Sequence, residues 1–106
     1  VSAAPPTPTD ARDTMPESTD APMPHVLYLD DDDTLVFLVR RLLERRGFRV
    51  TAFTSQNEAI EAVRAAPGAF DLLLTDFNMP GMSGLEVARA VLAIEPTLTV
   101  AVASGY

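Results

Sequence analysis

The segment Asp71-Leu-Leu-Leu-Thr-Asp76-Phe-Asn-Met-Pro-Gly-Met-Ser-Gly84 is the most informative part of this sequence. It is a short apolar run that ends on one carboxylate, Asp76, and then enters a turn rich in proline and glycine. Another short apolar run, from His25 to Leu29, ends on the aspartates Asp30 to Asp33. Short apolar runs without polar alternation are typical of strands that are buried on both faces of a parallel sheet. We therefore expect both acidic groups to follow parallel strands, at the sheet edge where such folds place their sites.

Helical patterns lie between the predicted strands. After Asp33, the expected N-cap, apolar residues follow helical spacing until Gly47. The segments Ser55-Gln-Asn-Glu58 and Ser83-Gly-Leu-Glu86 each have the capping-box pattern that begins a helix. The other strands are expected at 48–53, near a sheet edge, at 69–75 and at 98–103. This β-α-β-α-β-α-β order predicts the α/β class, with a doubly wound parallel sheet and helices on both faces.

Each predicted helix has one apolar face that can cover the sheet. In the first helix this face consists of Leu35, Leu38, Val39, Leu42 and Leu43, and Phe37 widens it. In the second helix it consists of Ala59, Ile60 and Val63, and in the third of Leu85, Ala88, Val91 and Leu92. We expect these faces to form the core together with the strands.

The composition of the chain excludes several classes of function. The chain has 106 residues, no cysteine and a net charge of −7, and all eight of its basic residues are arginine. Without cysteine it has no disulfide framework and no thiolate metal site. An acidic chain without a basic stripe argues against direct binding of this segment to nucleic acid. No apolar run approaches the length of a membrane span and no signal-peptide pattern occurs, so we expect a cytoplasmic domain without membrane insertion.

Residues 1–24 differ in composition from the rest of the chain. They are dominated by proline, alanine, threonine, serine and aspartate, and such a stretch cannot bury enough apolar surface to offset its ordering entropy. We predict a disordered linker at 1–24 and a folded domain at 25–106. Because a linker at this place implies an upstream domain, and because the first residue is Val1, we expect the chain to be a piece of a longer protein.

The expected meeting of several carboxylates at one sheet edge points to a metal ion. Like charges in contact repel strongly, and no basic side chain in the sequence is placed to neutralise them. Magnesium prefers a few carboxylate and carbonyl oxygens together with water, and it bridges phosphoryl oxygens well. The hydroxyl of Ser104 follows the fourth strand and is expected at the same edge. Carboxylates, magnesium and a hydroxyl together indicate phosphoryl transfer, in which positioning and charge neutralisation supply most of the catalysis.

Three segments of the chain resemble the receiver domain of two-component response regulators. They are Leu29-Asp30-Asp31-Asp32, Asp76-Phe-Asn-Met-Pro-Gly-Met-Ser-Gly84 and Ala103-Ser104-Gly105-Tyr106. The resemblance runs from about His25 to the chain end, and its most specific part is the Asp-x-x-Met-Pro-x-x-x-Gly pattern. The Ser-Gly-Tyr ending and the proline-rich N-terminal segment resemble the receivers of bacterial hybrid sensor histidine kinases.

The resemblance implies a flavodoxin-like domain of a phosphorelay. In such a domain Asp76 accepts a phosphoryl group from a phosphohistidine on a histidine kinase or a histidine phosphotransfer domain. Asp31, Asp76 and the backbone carbonyl of Asn78 would bind Mg²⁺, and Asp30 would assist through water or a hydrogen bond. Ser104 would donate its hydroxyl to the aspartyl phosphate. The family catalyses its own phosphorylation and dephosphorylation, so it differs from an ordinary enzyme.

The chain also departs from the family pattern. The family carries a lysine at the end of a fifth strand, whereas this sequence has no lysine and stops before the last helix, strand and helix of the family. The last helix would normally cover part of the apolar face of the first. We therefore expect the 106-residue chain by itself to be unstable, oligomeric or strand-swapped.

Two other functions fit part of the sequence. Residues 29–35 also fit the Asp-x-Asp-x-Thr motif of haloacid-dehalogenase-type phosphatases, with Asp30 as nucleophile and Asp32 as general acid. Against this function, Asp33 replaces the usual glycine, the later motifs of that family are absent and Asp76 is left without a role. The other alternative is a receiver-like interaction module that is never phosphorylated, and the complete set of acidic residues argues against it.

Overall fold

The computed structural model describes residues 23–103, in which strands and helices alternate throughout. The elements are β1 (His25–Leu29), α1 (Asp33–Arg45), β2 (Arg49–Phe53), α2 (Gln56–Ala65), β3 (Leu72–Asp76), α3 (Gly84–Ile94) and β4 (Thr99–Ala103). The predicted α/β class and element order are therefore confirmed. The predicted linker up to residue 22, and the predicted site residue Ser104, lie outside the described residues.

The strands within this range form one parallel sheet in the order β2-β1-β3-β4. The second strand lies at an edge, as the alternation of apolar and polar residues in this segment predicts. From β1 the chain crosses first to one side, to form β2, and then to the other side, to form β3. The strand order therefore reverses next to β1, and the carboxyl ends of β1 and β3 flank the position where doubly wound sheets bind their ligands.

Both faces of the sheet are covered by helices. Leu27, Leu29 and Leu73 face α2 and α3 and are fully buried there. Val26 and Tyr28 point the other way, toward α1. The apolar faces of the strands explain this arrangement, because alternate residues of a strand lie on opposite faces and here both sets are apolar.

The N-cap of α1 is Asp32, and the prediction of Asp33 was wrong by one residue. Asp32 has an extended backbone, and its carboxylate accepts hydrogen bonds from the backbone N–H groups of Thr34 and Leu35. Asp33 instead occupies the first turn, where a negative charge interacts favourably with the helix dipole. Four consecutive aspartates satisfy the pattern for a cap equally well, so the sequence alone does not choose between them.

The second helix buries the predicted residues, but the other two helices differ from prediction. In α3, Val87 is fully buried whereas Leu85 is 44% exposed. In α1 no residue is buried, and Val36, Val39 and Leu43 are the side chains that pack on the sheet. The predicted members Leu35, Phe37, Leu38 and Leu42 remain about half exposed. Within the described residues, no neighbouring element covers this part of α1.

The amino-terminal ends of three strands are joined through His25. Its ring nitrogens lie 3.0 Å from the carbonyl oxygen of Ala69 (Nδ1) and 2.7 Å from the hydroxyl of Thr51 (Nε2). Its backbone N–H donates to the carboxylate of Asp71 at 2.7 Å, and its ring packs against that of Phe70. His25 therefore connects β1 to β2 and to the segment before β3, at the sheet edge opposite the aspartates.

None of the helices in the described residues combines the length and the apolar content that crossing a membrane requires.

Candidate functional site

Three carboxylates meet at the carboxyl ends of the two central strands. Asp30 and Asp31 directly follow β1, and Asp76 is the last residue of β3. Each offers a carboxylate oxygen, and these oxygens all lie within 4.8 Å of one another. We call Asp30, Asp31 and Asp76 the acidic cluster. It forms because parallel neighbouring strands end at the same edge of the sheet.

Asp30 is the most enclosed member of the acidic cluster, with 6% of its surface exposed. Its Oδ2 atom accepts a hydrogen bond from the hydroxyl of Tyr28 at 3.1 Å, and its Oδ1 atom accepts one from the backbone N–H of Asp32 at 3.0 Å. Burial of the tyrosine and the charge of Asp30 both raise the pKa of Tyr28, so the phenol stays protonated and donates. Asp31 is exposed, and Asp32 is occupied as the cap of α1.

The charge of Asp76 is unfavourable in this environment. Partial burial raises the pKa of the Asp76 carboxyl, and the negative charges of Asp30 and Asp31 raise it further. Hydrogen bonds from the backbone of Asn78 and Phe77 act in the opposite direction. A bound cation would remove the repulsion that raises this pKa.

The loop after Asp76 is held in place at several points. The backbone N–H of Gly84 donates to the carbonyl of Phe77 at 3.0 Å and closes the loop at its base. The side-chain amide of Gln56 donates to the carbonyl oxygens of Pro80 at 2.8 Å and of Met82 at 3.2 Å. These contacts fix the segment that carries Asn78, whose backbone carbonyl is a predicted metal ligand.

Close packing explains the glycine at the start of α3. A Cβ atom on Gly84 would overlap the backbone carbonyl group of Asp76. The capping box at Ser83 is complete: the hydroxyl accepts from the backbone N–H of Glu86, and the Glu86 carboxylate accepts from the backbone N–H of Ser83. The start of α3 is thereby set directly against the end of β3.

A cavity of about 220 Å³ lies beside the acidic cluster, on the α1 side of the sheet. Its walls are Tyr28, Asp30 and Asp76 together with the apolar residues Leu35, Val39, Leu74 and Ala103. The cluster is therefore open to solvent-sized molecules from this side as well as from the strand ends.

The predicted site residues are partly brought together. Asp30, Asp31 and Asp76 converge, and Asn78 lies two residues after Asp76 on an exposed part of the loop. Ser104 is outside the described residues, although Ala103 before it is paired with Asp76 across β3 and β4. Sequence reasoning missed Tyr28 and Gln56. For Tyr28 a signal existed, because a residue two positions before Asp30 on a strand lies on the same face, whereas nothing near Gln56 in the sequence indicates its contact with the loop.

Comparison with known proteins gives one consistent result. Residues 26–106 match the family model described as "Response regulator receiver domain". The response regulator receiver protein CpdR of Brucella abortus is 36% identical over 84 residues, which cover 79% of this chain and 68% of CpdR. A crystal structure of a receiver domain protein from Clostridium thermocellum aligns with a TM-score of 0.75 and 27% identity over 77% of this chain and 65% of that one. The receiver domain of the hybrid histidine kinase CckA aligns with a TM-score of 0.72 and 30% identity, covering 77% of this chain and 76% of that one.

Proposed function

This chain belongs to the response regulator receiver domain family, and on that premise we propose that Asp76 is its phosphoryl acceptor. Asp30, Asp31, Asp76 and the backbone carbonyl of Asn78 would hold Mg²⁺ beside it. The observation that carries the proposal is the convergence of the three carboxylates within 4.8 Å at the point where the strand order reverses.

The residues of the acidic cluster fit Mg²⁺. They offer hard oxygen ligands and an excess of negative charge, which is what this ion binds in proteins. Bound Mg²⁺ would neutralise charge that develops on the phosphoryl oxygens during transfer. The raised pKa of Asp76 supports the same assignment, because the carboxylate lacks a counter-charge among the described residues that surround it.

The chemical step is a transfer between two side chains. A carboxylate oxygen of Asp76 attacks the phosphorus of a phosphohistidine on the partner, and an O–P bond forms as the P–N bond breaks. The electron pair of the P–N bond stays on the imidazole nitrogen, which then takes up a proton. The exposed end of β3 leaves Asp76 accessible for this in-line approach, and the hydroxyl of Ser104 would donate a hydrogen bond to the product.

The partner would be a histidine kinase or a histidine phosphotransfer domain, and the setting would be the bacterial cytoplasm. The crystal structure of the hybrid histidine kinase CckA receiver shows that receivers similar to this chain occur within hybrid kinases. The exposed apolar part of α1 also supports self-association or strand exchange of the 106-residue chain.

The acceptor can be identified by chemical phosphorylation. The chain is incubated with a small acyl phosphate and Mg²⁺, and the modified residue is located by mass spectrometry. We expect the adduct on Asp76, and its loss in Asp76→Asn and on chelation of the metal. The matched control is Asp71→Asn, because Asp71 precedes β3 at the opposite edge of the sheet, where its carboxylate accepts a hydrogen bond from the backbone N–H of His25.

The same experiment separates the alternatives. Label on Asp30 would support the phosphatase, but the carboxylate of Asp32 is occupied as the N-cap of α1, which disfavours its role as the general acid. If the chain is folded and binds magnesium but carries no phosphoryl group after the incubation, the result would favour the interaction module that is never phosphorylated.

A further inference from the structure

Tyr28 is a buried residue whose hydroxyl contacts the acidic cluster, and the transfer step does not use it. Its ring lies in the core formed with Val26 and Val50 and is covered by α1, leaving 5% of the residue exposed. Its hydroxyl is 3.1 Å from Oδ2 of Asp30. A ring that served only to fill this core would not need the hydroxyl, since phenylalanine has the same shape.

The bond is a direct consequence of strand geometry. Tyr28 and Asp30 are two positions apart on an extended segment, so their side chains lie on the same face of the sheet. Asp30 is itself buried, and the polar oxygens of a buried carboxyl group require hydrogen-bond partners. Tyr28 supplies one donor to Oδ2 and the backbone of Asp32 supplies one to Oδ1.

Two donors on two different oxygens fix the rotation of a carboxylate. Each oxygen of Asp30 has a second lone pair, so these bonds leave capacity for a metal ion or for water bound to one. We infer that Tyr28 is a positioning residue that orients the Asp30 carboxylate for Mg²⁺ binding in the acidic cluster. The inference rests on the proposed function, since it concerns the metal that the acidic cluster would hold.

Loss of the hydroxyl has two opposing effects on a cation. It leaves more negative charge on Asp30, which attracts the ion, and it frees the carboxylate to rotate into the adjacent cavity. The cluster already has an excess of negative charge, so the loss of orientation is expected to dominate. Removing such outer partners of metal ligands typically weakens metal binding about 10- to 100-fold.

The test is calorimetric titration of the full chain with MgCl₂. We expect Tyr28→Phe to raise the Kd for Mg²⁺ by about tenfold or more, with circular dichroism unchanged. The control Val50→Ala alters the same core without reaching the cluster, so it should lower the metal-free Tm and leave the Kd as in the unmodified chain. In an Asp30→Asn background, Tyr28→Phe should change the Kd no further.

An unchanged Kd in Tyr28→Phe overturns the inference and leaves the proposed function intact. A further rise of the Kd in the Asp30→Asn background also overturns it, because Tyr28 would then act by another route. If the unmodified chain binds no Mg²⁺, the proposed function and the inference both fail. If Tyr28→Phe does not fold, the variant Tyr28→Met, which fills the core without a donor, replaces it in the same titration.

Discussion

At the scale of single residues, the site is governed by the repulsion among Asp30, Asp31 and Asp76. Their carboxylates meet because the fold requires both central strands to end at one edge, and no arginine among the described residues forms a salt bridge with them. We therefore expect the metal-free domain to be less stable than one with a cation bound beside these carboxylates.

Asp76→Asn should stabilise the metal-free chain at pH 7. The folded-state pKa of Asp76 is raised, so the folded state binds this proton more readily than the unfolded state and ionisation of Asp76 costs stability. The cost is present above the folded pKa and disappears as the pH falls below the unfolded pKa, about 3.9. Thermal melts without metal should therefore show a higher Tm for Asp76→Asn than for the unmodified chain at pH 7. The gain should vanish near pH 3, and a loss of stability at pH 7 would mean that the carboxylate is structural.

Magnesium should raise the melting temperature of the unmodified chain. An ion that binds only the folded state stabilises it by about 2.7 kcal/mol at 100 times its Kd. Melts are compared in MgCl₂ and in NaCl of equal ionic strength, which separates specific binding from screening. An equal Tm in the two salts would show that the acidic cluster binds no magnesium.

The sequence predicted the cluster but not its internal contacts. The apolar runs of the sequence end at Asp30, Asp31 and Asp76, and neighbouring parallel strands bring these ends together independently of side-chain conformation. The bond from Tyr28 and the choice of Asp32 as the cap depend on side-chain rotation and on the angle at which α1 leaves the strand. Those quantities are set by tertiary packing.

Among the contacts between elements, the one between the start of α3 and the end of β3 leaves no room for a side chain at Gly84. Gly84 touches the backbone of Asp76, and its own N–H closes the loop onto Phe77. The position of Asp76 and the position of α3 are thus linked by backbone atoms, which cannot move aside as a flexible side chain would.

Gly84→Ala distinguishes this steric requirement from helix propensity. Propensity alone predicts a gain of up to about 1 kcal/mol, because alanine favours the helix. The clash with Asp76 predicts a loss of about 1–3 kcal/mol, which denaturant unfolding would measure. Ala93→Gly on the exposed face of the same helix provides the propensity reference. A more stable Gly84→Ala chain would show that the contact is not restrictive.

The sequence did not predict correctly which residues of α1 and α3 are buried. In α1 and α3 more apolar residues occur than one face can bury, so periodicity did not identify the residues that pack. In α2 the apolar residues are few, and all three predicted ones are buried. The third strand was predicted at 69–75 and lies at Leu72–Asp76. Ala69 and Asp71 belong instead to the segment before the strand, where they contact His25.

At the scale of the whole molecule, strand number, direction and the edge position of β2 agree with prediction within residues 23–103. The apolar part of α1 remains uncovered there, with Phe37 58% and Leu42 55% exposed. The guanidinium of Arg41 lies 5.5 Å from the ring centre of Phe37 and shields only one side of it.

The 106-residue chain should therefore self-associate through α1. Light scattering after size exclusion should give a mass above the 11.4 kDa of one chain. Phe37→Gln with Leu42→Gln should shift the distribution toward monomer without lowering the Tm, because neither side chain is in the core. Thr34→Gln on the exposed start of the same helix is the control. A cooperative, monodisperse monomer of the unmodified chain would contradict this expectation.

His25 and the acidic cluster lie at opposite ends of β1, a strand of five residues that spans about 17 Å. Sites this far apart without shared partners respond to substitution independently. Substitutions around His25 should therefore change the stability of the fold, and substitutions around the acidic cluster should change the properties of the site. A variant library restricted to Thr51, Ala69 and Asp71 should change how long the protein stays folded and leave the geometry of the acidic cluster unchanged.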